Sequence, residues 1–452
     1  MQQNDGVVIE NQWTPWGRVA RQSGTNPSVA QLSVLNAGPA IKKRLGLRGE
    51  PFRFRGSGDK AEFQAVGLAG TLSLKEVSIE IVPKFIGDRA RLLEWNSSTL
   101  FLLEALAGKH VISLLADRQE WRSHRVVDLI AHAFADAAER GLRDQPIHVY
   151  RQVEESSTIL RGRLNLFRQL RNFTRTPHIL ECDVDQLDVD NAYNDVLKWA
   201  AFVLARSAHE KGLKRRLEHL SDSIPGRAER SLAHRHVRLV PPPQFQAWAD
   251  ALELARLLAG GMTLSTTGGN RSGYSLLFNM ERAFERFVEI GLASALRQIG
   301  GGTRSSNRQD STAYAQPAFE GGKALYCRPD NVVRDSDQAV MVVDAKYKLL
   351  DDELEATPAN GAASGPTSTD VYELVAGMIA HKCTAGLLVY PSSSDLSTAN
   401  SAVRSWTVDA YGKQVRIGAI PIQLLRLRSR AELAQLFKEL ATQIAAFELA
   451  AA

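Results

Sequence analysis

Two short stretches hold residues that could do chemistry together. Tyr326-Cys327-Arg328-Pro329-Asp330 sets a carboxylate directly after a proline, and beyond thirteen intervening residues Asp344-Ala345-Lys346 closes an apolar run. Between them, Ala339-Val340-Met341-Val342-Val343 is short and rich in β-branched residues, which reads as a buried strand. Arg334 to Gln338 is a polar turn cluster, and Asn331-Val332-Val333 precedes it. A hairpin folded symmetrically about Asp337 sets Asp330 opposite Asp344, with Cβ atoms about 5 Å apart. Strand alternation puts Lys346 on the face of Asp344. Two facing carboxylates can share one hard cation, and Mg²⁺ suits a few carboxylate oxygens plus water. A cation there polarises a phosphate and helps to form hydroxide, while a neighbouring lysine orients the nucleophile or offsets transition-state charge. Chemistry of that kind would be phosphodiester cleavage. Asp-x-Lys alone is common; the proline, the spacing and the apolar strand give the pattern its content.

The elements that must position these residues follow from periodicity. Residues 1–95 read as a β-rich N-terminal domain, a possible docking module for a partner. Leu72-Ser73-Leu74 and Val77 to Lys84 alternate at period two, and glycines at 56, 58, 67 and 70 punctuate strands. Residues 96–265 read as a mainly helical middle domain. Leu100 to Leu106 and Val126 to Phe134 carry apolar stripes, and Asp190-Asn191 caps a helix through Val196, Leu197 and Trp199. Pro241-Pro242-Pro243 then marks a boundary or stiff connector. Residues 266–452 read as an α/β unit, entered through a Gly/Ser/Thr/Asn-rich link at 265–273. Its first helix has an apolar stripe from Leu277 to Ile299, with Glu281, Glu285 and Glu289 repeating every four residues along the flank. After the hairpin come a loop at 351–370, a helix capped by Asp370, strands at 386–391 and about 417–425, and a helix at 431–449. The chain is thus an α/β multidomain protein. Helix, hairpin, strand, helix, strand is the order of a restriction-endonuclease-like core.

Composition sets outer bounds. At 452 residues, with 44% hydrophobic and 23% charged residues, the chain can hold two or three domains with real cores. No apolar run approaches the roughly 18–20 residues of a membrane span, and Met1 to Asp5 lacks the features of a signal peptide. A cytoplasmic protein without membrane partners is the expectation. Cys182, Cys327 and Cys383 lie too far apart in sequence to suggest a disulfide framework or a cysteine zinc motif. A net charge of +5 permits nucleic-acid binding. One basic stretch, 214–238, includes Lys214, Arg215, Arg216, Arg235 and Arg238; it could track phosphates or form a solvated face. The histidines form no ligand pair, His234 and His236 lack zinc partners, and no Gly-x-Ser-x-Gly elbow occurs.

In their joint order, several motifs resemble the McrC family, nuclease subunits of modified-cytosine-dependent McrBC restriction systems. They are Met280-x-x-x-Phe284-Glu285-x-Phe287-Val288, Arg328-Pro329-Asp330, Val343 to Lys348 and Asp370-x-Tyr372-x-Leu374. Upstream, Leu160 to Leu164, Asp190 to Lys198 and Ile79 to Lys84 look like the same family, so the likeness spans about residues 75–430. The resemblance implies a PD-(D/E)xK nuclease that cuts double-stranded DNA carrying modified cytosine, with Mg²⁺ as cofactor. It implies that Asp330 and Asp344 bind the metal, with the Ala345 position and Glu285 completing the set, and that Lys346 serves the attacking water. Glu373 and Lys348 are accessory positions. It also implies a separate AAA+ GTPase that reads and translocates DNA and alone uses GTP. The chain holds no Gly-x-x-x-x-Gly-Lys-Ser/Thr, so such a motor lies elsewhere. One departure stands out: the family's Gln-x-x-x-Tyr is Glu373 and Gly377 here. Two other readings remain open at this point, a non-cleaving scaffold that stimulates the GTPase and a repair-type nuclease.

Overall fold

The computed structural model describes residues 7–20, 26–74, 76–86, 95–107, 126–228, 240–261, 263–265, 274–299, 303–315, 323–349, 366–392, 403–410 and 413–449. The chain forms two compact units, Met1–Val126 with Gly261–Ala452, and Val127–Gly260. The N-terminal and C-terminal segments expected as separate domains thus lie in one unit, together with residues 96–126 of the expected middle domain; the rest of that domain, up to Gly260, forms the other.

In the first unit, the N-terminal elements are β1 (Val7–Ile9), β2 (Thr14–Pro15), α1 (Trp16–Ala20), α2 (Pro27–Leu45), β3 (Phe52–Arg55), β4 (Glu62–Ala65), β5 (Leu68–Ser73), β6 (Ser78–Val82) and α3 (Trp95–Ala107). Asn26 caps α2 by accepting from the Ser28 N–H, and Pro27 suits the first helical position. Trp16, Val34, Ile41, Phe63, Leu72 and Ile81 fill a common core.

The second unit holds α4 (Val126–Asp144), β7 (Val149–Ser157), β8 (Arg163–Leu164), α5 (Leu166–Asn172), β9 (Leu180–Asp188), α6 (Ala192–Ser207), α7 (Lys211–Ser223) and α8 (Ala249–Gly261). It is less purely helical than its stripes suggest, because β7, β9 and β8 form an antiparallel sheet. Most residues of β7 and β9 are partly or fully exposed, so these strands lack the apolar signature that marks a buried one. Asn191 is the cap expected for α6, accepting from the N–H groups of Tyr193 and Asn194; Asp190 instead faces Arg227.

The chain then returns to the first unit through β10 (Thr263–Ser265), β11 (Tyr274–Asn279), α9 (Met280–Ile299), β12 (Arg304–Arg308), β13 (Thr312–Ala315), β14 (Leu325–Cys327), β15 (Asn331–Asp335), β16 (Gln338–Ala345), α10 (Ser368–His381), β17 (Ala385–Ser392), β18 (Arg404–Ala410), β19 (Lys413–Gln423) and α11 (Arg430–Leu449). Strand β11 is why the two chain ends share a unit: it pairs with β5 in a five-stranded sheet ordered β1-β6-β5-β11-β10. Leu277, expected on the helical stripe, therefore belongs to a strand. The Asn279 side chain accepts from the Arg282 N–H and starts the helix after it. Gly70 makes this pairing possible. Its φ is +123°, and a Cβ there would stand 2.1 Å from the Leu276 carbonyl oxygen. Gly70→Ala is expected to destabilise this unit by about 3 kcal/mol, visible as a lower thermal midpoint; an unchanged midpoint would show that the strands can separate freely.

The second large sheet has the order β12-β15-β16-β17-β19-β18, with β16, β17 and β19 parallel and the flanking strands antiparallel. Helix α10 connects β16 to β17 and packs Leu374 and Met378 with Val342, Leu388 and Tyr390. On the other face, Leu387 and Gly418 meet Phe447 of α11, and Phe437 of α11 meets Phe287 of α9 in a tilted ring contact at 5.6 Å. Alternation thus assigns Val342, Asp344 and Lys346 to the α10 side.

Candidate active site

The register of β15 with β16 runs Val332 to Val342 and Asn331 to Val343, so its next step brings Asp330 opposite Asp344. The symmetric turn about Asp337 expected from sequence does not form. Ser336 and Asp337 make a two-residue turn with Ser336 at φ +56°. A bulge in β16 opposite the Val333–Arg334 step restores the facing register. The carboxyls of Asp330 and Asp344 lie within hydrogen-bonding reach of each other. The Ala345 N–H donates to Asp330 Oδ2 at 2.9 Å. Because N–H and C=O of one strand residue point to the same edge, the Ala345 carbonyl is aimed to that side too. Lys346 Nζ stands 2.7 Å from Asp344 Oδ2 and 2.5 Å from Glu373 Oε2. The Lys346 N–H is fixed by the Val389 carbonyl of β17 at 2.8 Å.

These groups line a pocket of about 390 Å³ with Glu281, Glu285, Arg328, Lys348 and Arg48. Its electrostatics are those of crowded carboxylates. Burial, then the nearby charges of Asp344 and Glu285, push the Asp330 carboxyl up to about 8, against the smaller pull of the Ala345 N–H. Glu285 is raised as well, first by burial and also by Glu281 and Asp344, with Arg48 opposing. Burial works against the charge of Lys346, but Asp344 and Glu373 outweigh it and leave the ammonium raised. A site that stores mutual repulsion between acids is one that a cation relieves.

The donor set suits Mg²⁺. Among the described residues no three His, Cys, Asp or Glu side chains form a ready metal cage. Mg²⁺ does not need one, being held through one or two carboxylates with water in the remaining positions. Asp330 and Asp344 with the Ala345 carbonyl meet that requirement. Glu285 shares the pocket as a more distant acid.

Lys348 bonds both oxygens of buried Asp370, at 2.9 and 3.0 Å, and Tyr390 also donates to Asp370. Asp370 is therefore a buried anchor for Lys348. The expected cap of α10 is instead Thr367, which accepts from the Asp370 N–H. Gly377 lies where a Cβ would stand 3.3 Å from Val342 and 3.6 Å from Pro329, so this helix position packs against the strand pair and has no room for an aromatic ring. In the second unit, Lys214 and Arg215 are exposed. Arg216 is bound to Glu139 at 2.5 Å and Asp136 at 2.6 Å; it is a packing strut whose charge is already met. Arg235 and Arg238, like most of the 351–370 loop, lie outside the described residues.

Sequence reading missed a second set of site residues. Tyr347, between the two lysines, donates its hydroxyl to buried Glu10 at 2.8 Å, and Lys84 Nζ donates to the Tyr347 carbonyl at 2.5 Å. Glu10 also accepts from the N–H groups of Gly67 and Lys84. Only the Ile79–Lys84 strand ending gave any signal of this; Glu10 and Arg48 sit in stretches without a distinguishing pattern.

Residues 63–391, well over half of the chain, match the family model of the McrBC 5-methylcytosine restriction system component. The chain belongs to the McrBC family. Among solved structures it resembles a refined half-complex from a tetradecameric assembly of Thermococcus gammatolerans McrB AAA+ hexamers with bound McrC. That likeness has a TM-score of 0.64 at 17% identity and covers 97% of this chain and 99% of that one, so the fold is shared over nearly the full length. The cryo-EM structure of the Thermococcus gammatolerans McrBC complex is also similar, at 19% identity and a TM-score of 0.46, over 64% of this chain and 87% of that one. No curated protein matches the chain. The McrC likeness read from the motifs is borne out. Among the described residues of this McrBC-family chain, no helix is long and apolar enough to cross a membrane.

Proposed function

We propose that this McrBC-family chain is the Mg²⁺-dependent endonuclease subunit of a type IV restriction complex that cuts double-stranded DNA carrying modified cytosine. The observation that carries the reading is the facing pair Asp330 and Asp344, with Lys346 held on Asp344. When bound, Mg²⁺ would supply Lewis acidity toward the scissile phosphate. The chain's own residues do the rest. Asp330 and Asp344 would hold the metal beside the Ala345 carbonyl. Lys346 presents a fixed ammonium to charge building on the phosphoryl oxygens, and Glu373 keeps that ammonium in place. The six-stranded sheet with α10 and α9 serves as a restriction-endonuclease-like core. Activation comes from a separate AAA+ GTPase of the McrB type, in keeping with the assembly named for the structural relative.

The test reconstitutes the system from the full chain, the GTPase of the same system, GTP, Mg²⁺ and cytosine-methylated DNA. Double-strand cutting that stops with a chelator is expected. Stimulated GTP hydrolysis without cutting, under any divalent metal, would replace the nuclease reading with the scaffold one. Cutting of unmodified linear DNA without the GTPase would select repair-type processing.

A further inference from the structure

One wall of the carboxylate pocket comes from the other end of the chain. Arg48 lines it, and its Nη2 stands 4.0 Å from Glu285 Oε1. Its position is set by a helix ending. Gly46 caps α2 in the left-handed region at φ +64°, and Leu47 bonds back to the Lys42 carbonyl and buries its side chain. Arg48 is then the first residue past the cap whose side chain reaches the surface. The turn is tied to the catalytic elements. Asn279, at the start of α9, donates to the Leu45 carbonyl at 3.0 Å. The Leu47 side chain packs beneath Gly67. Gly67 donates to Glu10, which also holds the hydroxyl of Tyr347, the residue after Lys346. A buried relay of contacts thus fixes the Arg48 turn relative to the strand end that carries the lysine.

The pocket's charges leave Arg48 a specific task. Glu281, Glu285, Asp330, Asp344 and Glu373 would repel a polyanion approaching the site. Lys346 is held between two of these acids, and Lys348 is bound to Asp370; the other lining cations are exposed Arg328, two residues before Asp330, and Arg48. Among the described residues, the ion pair of Arg48 is the 4.0 Å contact with Glu285, and its side chain is 79% exposed. A pair that long and that exposed is worth little, so the guanidinium can turn to a better anion almost without cost. Its planar fork suits two oxygens of a phosphodiester. We propose that Arg48 grips a backbone phosphate of the DNA at the pocket mouth, so that the N-terminal segment supplies a substrate-binding residue to the nuclease centre. This rests on the nuclease reading above.

The experiment uses the full chain carrying Asp344→Asn, with fluorescent duplex DNA followed by anisotropy over a range of salt concentrations. Adding Arg48→Ala is expected to weaken binding about 5- to 10-fold and to lower the salt slope by about one. Arg48→Lys keeps the slope and recovers part of the affinity. Unchanged affinity and slope overturn the proposal, as does an absence of DNA binding at low salt. Weaker binding with an unchanged slope and a lower thermal midpoint marks a structural role and overturns it too. Loss of Mg²⁺ binding by calorimetry on Arg48→Ala, with DNA affinity intact, would reassign Arg48 to orienting Glu285. Cutting that persists in Asp344→Asn alone sinks the nuclease reading itself, and it is measured first.

Discussion

Asp344→Ala is expected to remove DNA cleavage by about 10³-fold or more while leaving assembly with the GTPase and the thermal midpoint intact. The separation follows from what Asp344 touches. Its carboxylate faces Asp330 and Lys346 and adds repulsion to Asp330 and Glu285. Removing it lowers the charge density of the pocket, and Lys346 keeps Glu373 as a partner. The fold would therefore lose little while the proposed chemistry loses a cation ligand. Lys346→Ala is the companion variant. The ammonium is raised rather than lowered, because Asp344 and Glu373 outweigh the effect of burial. That direction favours the protonated form, so in the proposed reaction Lys346 would serve as a positive charge and not as a base. Its loss is expected to slow cutting about 10²- to 10³-fold with Mg²⁺ binding retained. Gel assays of the reconstituted complex read both variants, and calorimetry reads the metal. Near wild-type cutting by either variant would mean that phosphodiester hydrolysis happens somewhere other than at this hairpin.

Much of this centre was legible because strand chemistry is local. The β-branched run before Asp344 and the turn cluster after Val333 fixed a hairpin, and period two fixed the face of Lys346. The bulge in β16 was not legible, since an extra residue changes no composition; it offset the shorter turn, and the facing pair survived. The cap of α10 was misplaced by three residues because Asp and Thr are both good caps and both occur there. Thr367 took the role, and Asp370 turned inward to Lys348 and Tyr390. Long-range placement was the least readable. Nothing local about Leu277 shows that it pairs with Gly70, two hundred residues earlier in the chain, or that Glu10 accepts the hydroxyl of Tyr347. These contacts bring the N-terminal turn carrying Arg48 to the pocket. The β7–β9 sheet escaped for another reason: its strands are mostly exposed and polar, so no alternation marked them.

The second large effect concerns Asp330 in metal-free protein, where Asp330→Asn is expected to raise the thermal midpoint at pH 7.5 by about 2–4 °C. The folded-state carboxyl is pushed up to about 8 from an ordinary value of 3.8, by burial first and then by Asp344 and Glu285. Between those values the folded chain holds a proton that the unfolded chain releases, so stability falls as pH rises through the window. Its contribution is complete below about pH 4 and gone above about pH 8. Wild-type protein in chelator should therefore melt at progressively lower temperature from pH 5 to pH 8, and Asp330→Asn should flatten that dependence. Mg²⁺ reverses the sign, because a ligand carboxyl must be ionised to bind it. Calorimetry in two buffers of different ionisation enthalpy should show proton release on Mg²⁺ binding near pH 7 and little near pH 9, with affinity rising across the interval. A midpoint that climbs with pH in chelator, or an Asp330→Asn variant less stable than wild type, would mean that Asp330 is a settled structural carboxylate. Stored repulsion of this kind would favour the proposed cation, and these measurements detect it without any cleavage assay.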